Sequence, residues 1–303
     1  MKQKTIREAF SVEGPGLHTG GMIHATLLPA EVNTGIRIRR VDLDGQPTYE
    51  ALAEYVHQTT RGTVLENGSW RVSTVEHMMA ALYAMGVTNC LIEVDAPEIP
   101  ILDGSARIFV EHIKRVGLQT QSAEVKEWVV TEPFEYTNGK GSTIRISPCD
   151  HYEVAVTVKY PSEVLKEQSA ELTDLSDFAT QIANARTFCF LREIRPLLNL
   201  GLIKGGDLDN AIVIYDKRMW QFSMNRLARK MGKPTIDASR LGYLTELRFE
   251  NEPARHKLLD IVGDLALLGM PIRGRIEAVC PGHGVNTACC KQLRQIVNKF
   301  NKI

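Results

Sequence analysis

The feature that most constrains the fold is an order of elements that occurs twice along the chain. In each half the residue pattern predicts a leading helix, a strand, a glycine-containing loop and a second helix, and the two leading helices are expected at residues 73–85 and 253–268. Each leading helix carries one histidine near its start, His77 in the first and His256 in the second. This repetition indicates an α+β protein with two similar units, each layering helices on a β-sheet, which face one another.

The predicted boundary between the two units lies in a polar stretch. Residues 119–127 (QTQSAEVKE) have no apolar period and are expected to form a linker. We therefore expect an N-terminal α+β domain over residues 1–122 and a C-terminal α+β domain over residues 127–303. Alternating or β-branched patterns predict strands within residues 22–30, 34–42, 89–95, 127–136, 142–148, 152–161 and 271–279.

Composition excludes several classes of protein. The 36 basic residues balance the 36 acidic ones, which removes the general electrostatic argument for binding nucleic acid and favours a small-molecule substrate. The six cysteines form no CxxC pair and are expected to be reduced thiols. No stretch is apolar enough to cross a membrane, and the amino-terminal residues lack the apolar core of a secretory signal. We expect a cytoplasmic protein, and a monomer.

A stripe of polar residues on the second leading helix predicts a metal site. His256 and Asp260 are four residues apart, so they lie about 40° from each other on a helix, and Asp264 extends the same stripe. Apolar residues occupy the rest of this helix, and a buried carboxylate needs a partner such as a metal or a hydrogen-bonded histidine. An exposed pair at this spacing, without a metal, explains His256 and Asp260 equally well.

The start of the first leading helix also has two interpretations. Ser73 and Glu76 match a capping box, in which the Glu76 carboxylate bonds back to the backbone of Ser73. In the other interpretation, His77 joins His256 and Asp260 as the third ligand of a catalytic zinc ion, with Glu76 beside it. His283 lies in a predicted glycine loop ahead of a terminal helix that is expected from Asn286, and by itself it indicates no role.

Seven sequence strings, in one order and over nearly the whole chain, resemble a known family. They are GPGLHTG, STVEHMMAAL, PEIPILDGSA, ARTFCF, LGLIKGGDLDNAIV, RHKLLDIVGDLALLG and PGHGVN. Together they are similar to the UDP-3-O-acyl-N-acetylglucosamine deacetylases of lipid A biosynthesis. The resemblance implies two α+β domains with the active site between them, and zinc-dependent removal of the acetyl group, with Fe²⁺ as the other candidate metal. Other possible functions are a zinc amidase acting on another N-acyl sugar and a non-catalytic protein that binds an acylated nucleotide sugar.

The resemblance also implies a role for individual residues. It implies that zinc is bound by His77, His256 and Asp260. It implies that Glu76 is the general base, that His283 is the general acid, and that Asp264 orients His283. Thr187 and Lys257 match positions that contact the substrate or stabilise the oxyanion, and Phe188 matches a position beside the sugar.

Two later segments carry further expectations. The resemblance makes residues 187–213 an inserted β-α-β element that holds the fatty acyl chain, with Ile194, Ile203 and Leu208 as candidate wall residues; a helix packed on the core is the other interpretation. Residues 216–240 are longer than the family pattern suggests and contain seven basic residues, which are expected to be solvated or to contact pyrophosphate, a membrane surface or a partner. Some family members are fused to an acyl-carrier-protein dehydratase, so a fused or neighbouring dehydratase is an expected partner.

Overall fold

The structure is a computed structural model that describes residues 1–194, 205–230 and 234–300. Its strands in the first half are β1 (Lys2–Ile6), β2 (Phe10–Pro15), β3 (Met22–Pro29), β4 (Ile36–Arg40), β5 (Thr48–Glu50), β6 (Val56–Gln58), β7 (Val64–Asn67), β8 (Trp70–Ser73), β9 (Cys90–Val94) and β10 (Leu118–Glu124). The strands in the second half are β11 (Trp128–Val129), β12 (Phe134–Thr137), β13 (Thr143–Ser147), β14 (Tyr152–Val158), β15 (Gln168–Leu172), β16 (Phe188–Phe190), β17 (Ile212–Tyr215), β18 (Gly242–Tyr243) and β19 (Ile272–Val279). The helices are α1 (Glu76–Ala84), α2 (Arg107–Val116), α3 (Phe178–Gln181), α4 (Gln221–Lys230), α5 (Glu252–Ala266) and α6 (His283–Phe300), with 3₁₀ turns at Ala53–Tyr55 and Leu175–Asp177.

The main sheets of the two halves have the same topology. The first sheet has the order β2-β3-β9-β4-β5, and the second has the order β12-β13-β19-β14-β15, with β11 added beside β19. Neighbouring strands along both orders are antiparallel, except that β9 pairs with β4 and β19 pairs with β14 in parallel. The α+β class predicted from the sequence is therefore confirmed, and the repeated order of elements has a counterpart in two matching sheets.

Helices α1 and α5 pack against each other between the two halves. Both are buried over almost their whole length, in keeping with their apolar composition on most sides. One hydrophobic core runs through both halves and includes Met78 and Leu82 of α1 together with Leu258 and Val262 of α5. The burial of both helices places their polar side chains in the interior.

A separate small sheet carries the predicted insert. Strands β16 and β17 pair in parallel, and β18 adds to β17 in the antiparallel sense. Residues 191–194, which follow β16, are helical, so the described part agrees with the β-α-β element expected there. Parallel neighbours require a crossover connection, which is why the two strands lie far apart in the sequence.

Three local predictions differ from the structure. Helix α1 begins at Glu76, and Ser73 ends strand β8, where its backbone N–H and its hydroxyl both donate to the carbonyl of Pro97. Of the two interpretations of Ser73 and Glu76, the capping box is therefore wrong. The polar stretch predicted to be a linker forms most of β10, which pairs with β1, because backbone pairing needs no apolar side chain. Helix α6 begins at His283, three residues earlier than expected.

Among the described residues, no helix is both long enough and apolar enough to span a bilayer.

Candidate metal and catalytic centre

The predicted metal ligands converge in the interior. His77 of α1 and His256 and Asp260 of α5 are all buried, and each offers one ligand atom within 4.8 Å of the other two. The two imidazole rings lie 5.0 Å apart between centroids at an interplanar angle of 86°. Atoms this close can share one ion at bond lengths of about 2 Å. The exposed pair of His256 and Asp260, which the spacing alone left open, is excluded by their burial.

A glycine allows the two helices to come this close. A Cβ atom at Gly263 would lie 2.0 Å from the backbone oxygen of Glu76. Only a residue without a side chain fits at this crossing. Gly263 therefore sets the distance between the helix that carries His77 and the helix that carries the other two ligands.

The hydrogen bonds around Asp260 show that the site suits a cation. The Nδ1–H of His256 donates to the carbonyl of Ala185 at 3.0 Å, so in the neutral ring the lone pair is on Nε2. This Nε2 lies 3.2 Å from Oδ1 of Asp260, a buried oxygen without a hydrogen-bond partner among the described residues. A positive ion between this lone pair and the Asp260 oxygen would satisfy both buried acceptors. Burial, followed by the nearby His256, lowers the pKa of His77 to about 3, so its ring is neutral and able to act as a ligand.

Glu76 lies at the first residue of α1, next to the ligand cluster. Its Oε2 accepts a hydrogen bond from the backbone N–H of Thr63 at 3.0 Å, and its Oε1 lies 3.8 Å from Nε2 of His283. Burial raises the pKa of Glu76 to about 7, with the carboxylates of Asp264 and Asp260 adding to the shift and His283 opposing it. A carboxyl group with this pKa can both accept and release a proton near neutral pH.

His283, at the start of α6, faces Glu76 and is held by Asp264. Its Nδ1–H donates to Oδ2 of Asp264 at 2.9 Å, and its Nε2 lies 3.9 Å from Oδ2 of Asp260. Burial alone would lower the pKa of His283, but Asp264, Asp260 and Glu76 together raise it to about 9. The imidazolium form is therefore dominant at neutral pH, and its Nε2–H is available to a ligand.

Two residues that the sequence analysis did not identify complete the environment of Asp264. The hydroxyl of Thr63 donates to Oδ1 of Asp264 at 2.5 Å, and the side-chain amide of Asn286 donates to Oδ2 at 2.9 Å. Thr63 thus bonds to both Glu76 and Asp264. The two preceding residues, Arg61 and Gly62, have φ angles of +63° and +155°, so the backbone turns sharply just before Thr63.

A cavity of about 490 Å³ opens onto this centre. Its wall includes four of the predicted substrate residues and the predicted acid: Thr187, Phe188, Ile194, Lys257 and His283. The ammonium group of Lys257 donates to Oδ2 of Asp260 at 2.7 Å and lies 5.4 Å from the ring centre of Phe188. Burial alone would lower the pKa of Lys257, but Asp260 and then Tyr160 hold it above its ordinary value, so the group stays charged.

Of the other two predicted wall residues, only Leu208 lies among the described residues, and it does not line this cavity. Leu208 packs on a second apolar cluster with Val213 and Leu227, and it lines a different, more open cavity that also contains Arg186. Ile203 lies outside the described residues. The charged floor and apolar wall of the first cavity suit a ligand with both a polar and a fatty part.

Comparison with known proteins identifies the family. The sequence profile described as LpxC, UDP-3-O-acyl N-acetylglycosamine deacetylase, matches residues 3–231 and 235–295. The chain is 51% identical over 298 residues to the bifunctional enzyme LpxC/FabZ of Bacteroides thetaiotaomicron, covering 97% of this chain and 65% of that protein. It is 41% identical over 293 residues to the UDP-3-O-acyl-N-acetylglucosamine deacetylase of an Anaeromyxobacter species, covering 96% and 88%. It is 37% identical over 296 residues to the deacetylase of that name from Teredinibacter turnerae, covering 97% and 90%.

The chain spans less than two thirds of the length of its bifunctional relatives from Bacteroides thetaiotaomicron and Porphyromonas gingivalis, 65% in each case. Its match to the profile nevertheless extends over nearly all of its own residues. The chain therefore belongs to the UDP-3-O-acyl N-acetylglycosamine deacetylase family.

Proposed function

We propose that the chain hydrolyses the N-acetyl group of UDP-3-O-acyl-N-acetylglucosamine, giving acetate and UDP-3-O-acylglucosamine, in lipid A biosynthesis. The observation that carries this proposal is the buried Asp260 Oδ1, which has no hydrogen-bond partner among the described residues and lies near Nε2 of both His77 and His256. A candidate base and a candidate acid flank it at 3.8 Å from each other. Family membership supports the substrate, and the cavity beside the centre has room for an acylated sugar.

The cofactor proposed for this centre is one Zn²⁺ per chain, with Fe²⁺ as the competing ion. His77, His256 and Asp260 would hold it, and two imidazoles with one carboxylate are a donor set typical of catalytic zinc sites that keep one position for water. When bound, such an ion polarises the amide carbonyl and lowers the pKa of the attacking water to about 7. The Nδ1–H bond from His256 to Ala185 would keep the Nε2 lone pair directed at the ion.

Glu76 is the proposed general base. Its carboxylate is fixed by the N–H of Thr63, so one oxygen is held by the backbone while the other remains directed toward His283. With its pKa raised to about 7, the carboxylate would take a proton from the attacking water efficiently at neutral pH. A positioned base of this kind contributes about 10²–10⁴-fold to the rate.

His283 is the proposed general acid. An amine cannot leave as its anion, so a proton must be delivered to the amide nitrogen as the C–N bond breaks. The Asp264 carboxylate binds Nδ1–H of His283 and favours its imidazolium form. This leaves the Nε2–H, 3.8 Å from Oε1 of Glu76, for the substrate nitrogen at the cavity that His283 lines. Asp264 is a positioning residue in this scheme, since it acts through His283.

Lys257 and Thr187 are the proposed groups that face the oxyanion and the polar part of the substrate. Both line the cavity, and Lys257 brings a positive charge that is held in place by Asp260. One donor aimed at a developing oxyanion contributes about 3 kcal/mol. Phe188 would lie beside the sugar and Ile194 beside the acyl chain. Leu208 remains a proposed wall residue on the basis of the resemblance alone.

The test is a metal-replete turnover assay with three single variants. We expect Glu76→Gln to keep about one metal ion per chain while turnover falls by about 10²–10⁴-fold, and Asp260→Ala to lose the ion together with turnover. Glu193→Gln is the matched control, because Glu193 is a carboxylate in the same cavity without a proposed chemical role. Turnover with each of Zn²⁺ and Fe²⁺ identifies the working ion.

Substrate choice is tested by measuring acetate release with and without the 3-O-acyl chain. The proposal requires that removing the chain lowers kcat/KM strongly, because burial contributes about 0.8 kcal/mol per methylene. Equal kcat/KM for both substrates would indicate a deacetylase for another N-acyl sugar. Binding of the acylated substrate without acetate release would indicate a non-catalytic binding protein.

An acyl-carrier-protein dehydratase is the proposed partner, either fused to this chain or separate. The support is that relatives at 51% and 50% identity bear the name LpxC/FabZ. Co-purification of the natural gene product from cell extract, followed by mass spectrometry of the intact polypeptide, distinguishes a fused unit from a separate one.

A further inference from the structure

The segment with seven basic residues, which the catalytic proposal leaves unused, forms a surface of unusual composition. We define the aromatic-cationic surface as Lys217, Arg218, Trp220, Phe222, Arg226 and Arg229, all of which are exposed. Residues 217–229 contain four cations and no carboxylate, in a chain whose overall charge is zero. Within the described ranges, none of these four cations forms an ion pair with an acidic side chain. The four positive charges are therefore concentrated in this segment and exposed to solvent.

Two bulky aromatic side chains lie within this charge. Trp220 is 85% exposed and Phe222 is 73% exposed. These values are high, because burial of a large aromatic side chain is favourable. Single exposed apolar residues are ordinary, but two large aromatics next to each other and among cations are not. Both are near the amino-terminal end of α4.

Helix α4 has one exposed face and one buried face. At 100° per residue, Phe222, Arg226 and Arg229 lie within an arc of about 60° on the helix. Met224, Leu227 and Ala228 are buried on the opposite face. Met224 and Leu227 belong to the same apolar cluster as Val213 and Tyr215 of β17. The exposed face thus places Phe222 one turn before Arg226 and about two turns before Arg229, with Trp220 just ahead of the helix.

Hydrogen bonds hold the segment before α4 in place, and this segment carries Trp220. The buried Tyr215 at the end of β17 accepts a hydrogen bond from the N–H of Met219 at 2.9 Å and donates to the carbonyl of Ala238 at 3.0 Å. The side chain of Gln221 bonds to both Ile236 and Ala238. Folding therefore holds Trp220 out in water despite the cost of exposing it.

We propose that the aromatic-cationic surface binds the head-group region of a bilayer that contains anionic phospholipid. Aromatic rings insert at the boundary between head groups and acyl chains, and nearby Arg and Lys side chains pair with lipid phosphates. This combination supplies the apolar and electrostatic contributions that reversible membrane attachment requires together. The same strand β17 contributes Val213 to the cavity wall, so attachment would bring the cavity close to the lipid surface. The proposal does not depend on the catalytic one.

The test is sedimentation of the 303-residue chain with vesicles of phosphatidylcholine, alone or mixed with phosphatidylglycerol. We expect binding to the mixed vesicles and little to phosphatidylcholine alone. Arg226→Gln with Arg229→Gln should weaken binding by about 25-fold, at about fivefold per cation. The matched control is Lys114→Gln with Arg115→Gln, two exposed cations at the end of α2, which should bind like the unchanged chain.

Tryptophan fluorescence gives an independent readout. Trp70 is fully buried, so an emission shift to shorter wavelength on vesicle addition would come from Trp220 or from the partly exposed Trp128. The shift should vanish in Trp220→Phe, and Trp220→Ser with Phe222→Ser should abolish sedimentation without lowering the melting temperature. Absence of binding to anionic vesicles, or equal binding by the charge variant and its control, would overturn the proposal. Binding of an RNA or of an acidic protein in place of vesicles would do the same.

Discussion

Replacement of Gly263 by alanine tests whether the crossing of α1 and α5 sets the geometry of the metal site. The added Cβ would lie 2.0 Å from the Glu76 oxygen, whereas ordinary contact begins at 3.4 Å, so the two helices must separate by about 1.4 Å. The atom it meets belongs to the backbone and cannot rotate away. Zinc ligand distances vary by only about 0.2 Å, so a movement of this size would break the alignment of His77 with the ligands on α5.

The expected magnitude follows from two opposing contributions. Alanine is favoured over glycine in a helix by about 1 kcal/mol, which would stabilise the variant. Overpacking costs about 1–3 kcal/mol, and a rigid backbone partner favours the upper end. We expect Gly263→Ala to lower the free energy of unfolding of the metal-free protein by about 2 kcal/mol and to weaken metal binding by at least about tenfold.

The assay combines urea unfolding of the metal-free chain with competition against a metal chelator. Gly242→Ala is the matched control, because a Cβ at Gly242 meets nothing within 4 Å. If Gly263→Ala were as stable as the unchanged chain or more stable, and bound metal equally well, helix propensity would dominate and the proposed role of the crossing would be refuted.

Three further predictions concern the groups around Asp264 and Asp260. Asp264→Asn removes a charge that raises the pKa of His283 to about 9. Because His283 acts in its protonated form, the alkaline limb of the plot of kcat against pH should move to lower pH. An unchanged alkaline limb would contradict the role of His283 as the acid. Thr63→Val keeps the N–H that binds Glu76 but removes the hydroxyl that binds Asp264, so it should destabilise the chain by about 1–3 kcal/mol in thermal unfolding while the metal is retained. Lys257→Gln should lower kcat by about 10²-fold without loss of metal in elemental analysis, because Lys257 binds Oδ2 of Asp260 whereas His77 and His256 lie near Oδ1. Loss of metal would show that Lys257 instead maintains the ligand geometry.

Helical periodicity accounts for the parts of the centre that could be predicted from the sequence. The spacing of His256, Asp260 and Asp264 placed them on one stripe of a core helix, and the structure confirms that all three are buried there. The histidine of the other half was identified because the same order of elements surrounds it. Such a pattern can be predicted from the sequence because residues three or four apart are neighbours on the surface of a helix.

The contacts that could not be predicted are the ones made across long distances in the sequence. Ser73 matched a capping box, but it is taken up by strand β8 and by Pro97, so the helix begins later. Thr63 reaches Asp264 across 201 residues, and no local pattern marks it. The roles of His283 and Asp264 as a pair came from the family resemblance, because a glycine loop and a helix stripe do not indicate by themselves that they meet.

The division of the proposed ligands between α1 and α5 affects how metal binding stabilises the folded protein. One donor comes from the first half of the sequence and two from the second, so an ion held by all three ties the halves together as a cross-link would. An unfolded chain has no such arrangement, and a bound ion at a thousandfold excess over its dissociation constant favours the native state by about 4 kcal/mol. Metal starvation would therefore reduce not only the fraction of working molecules but also their resistance to proteolysis.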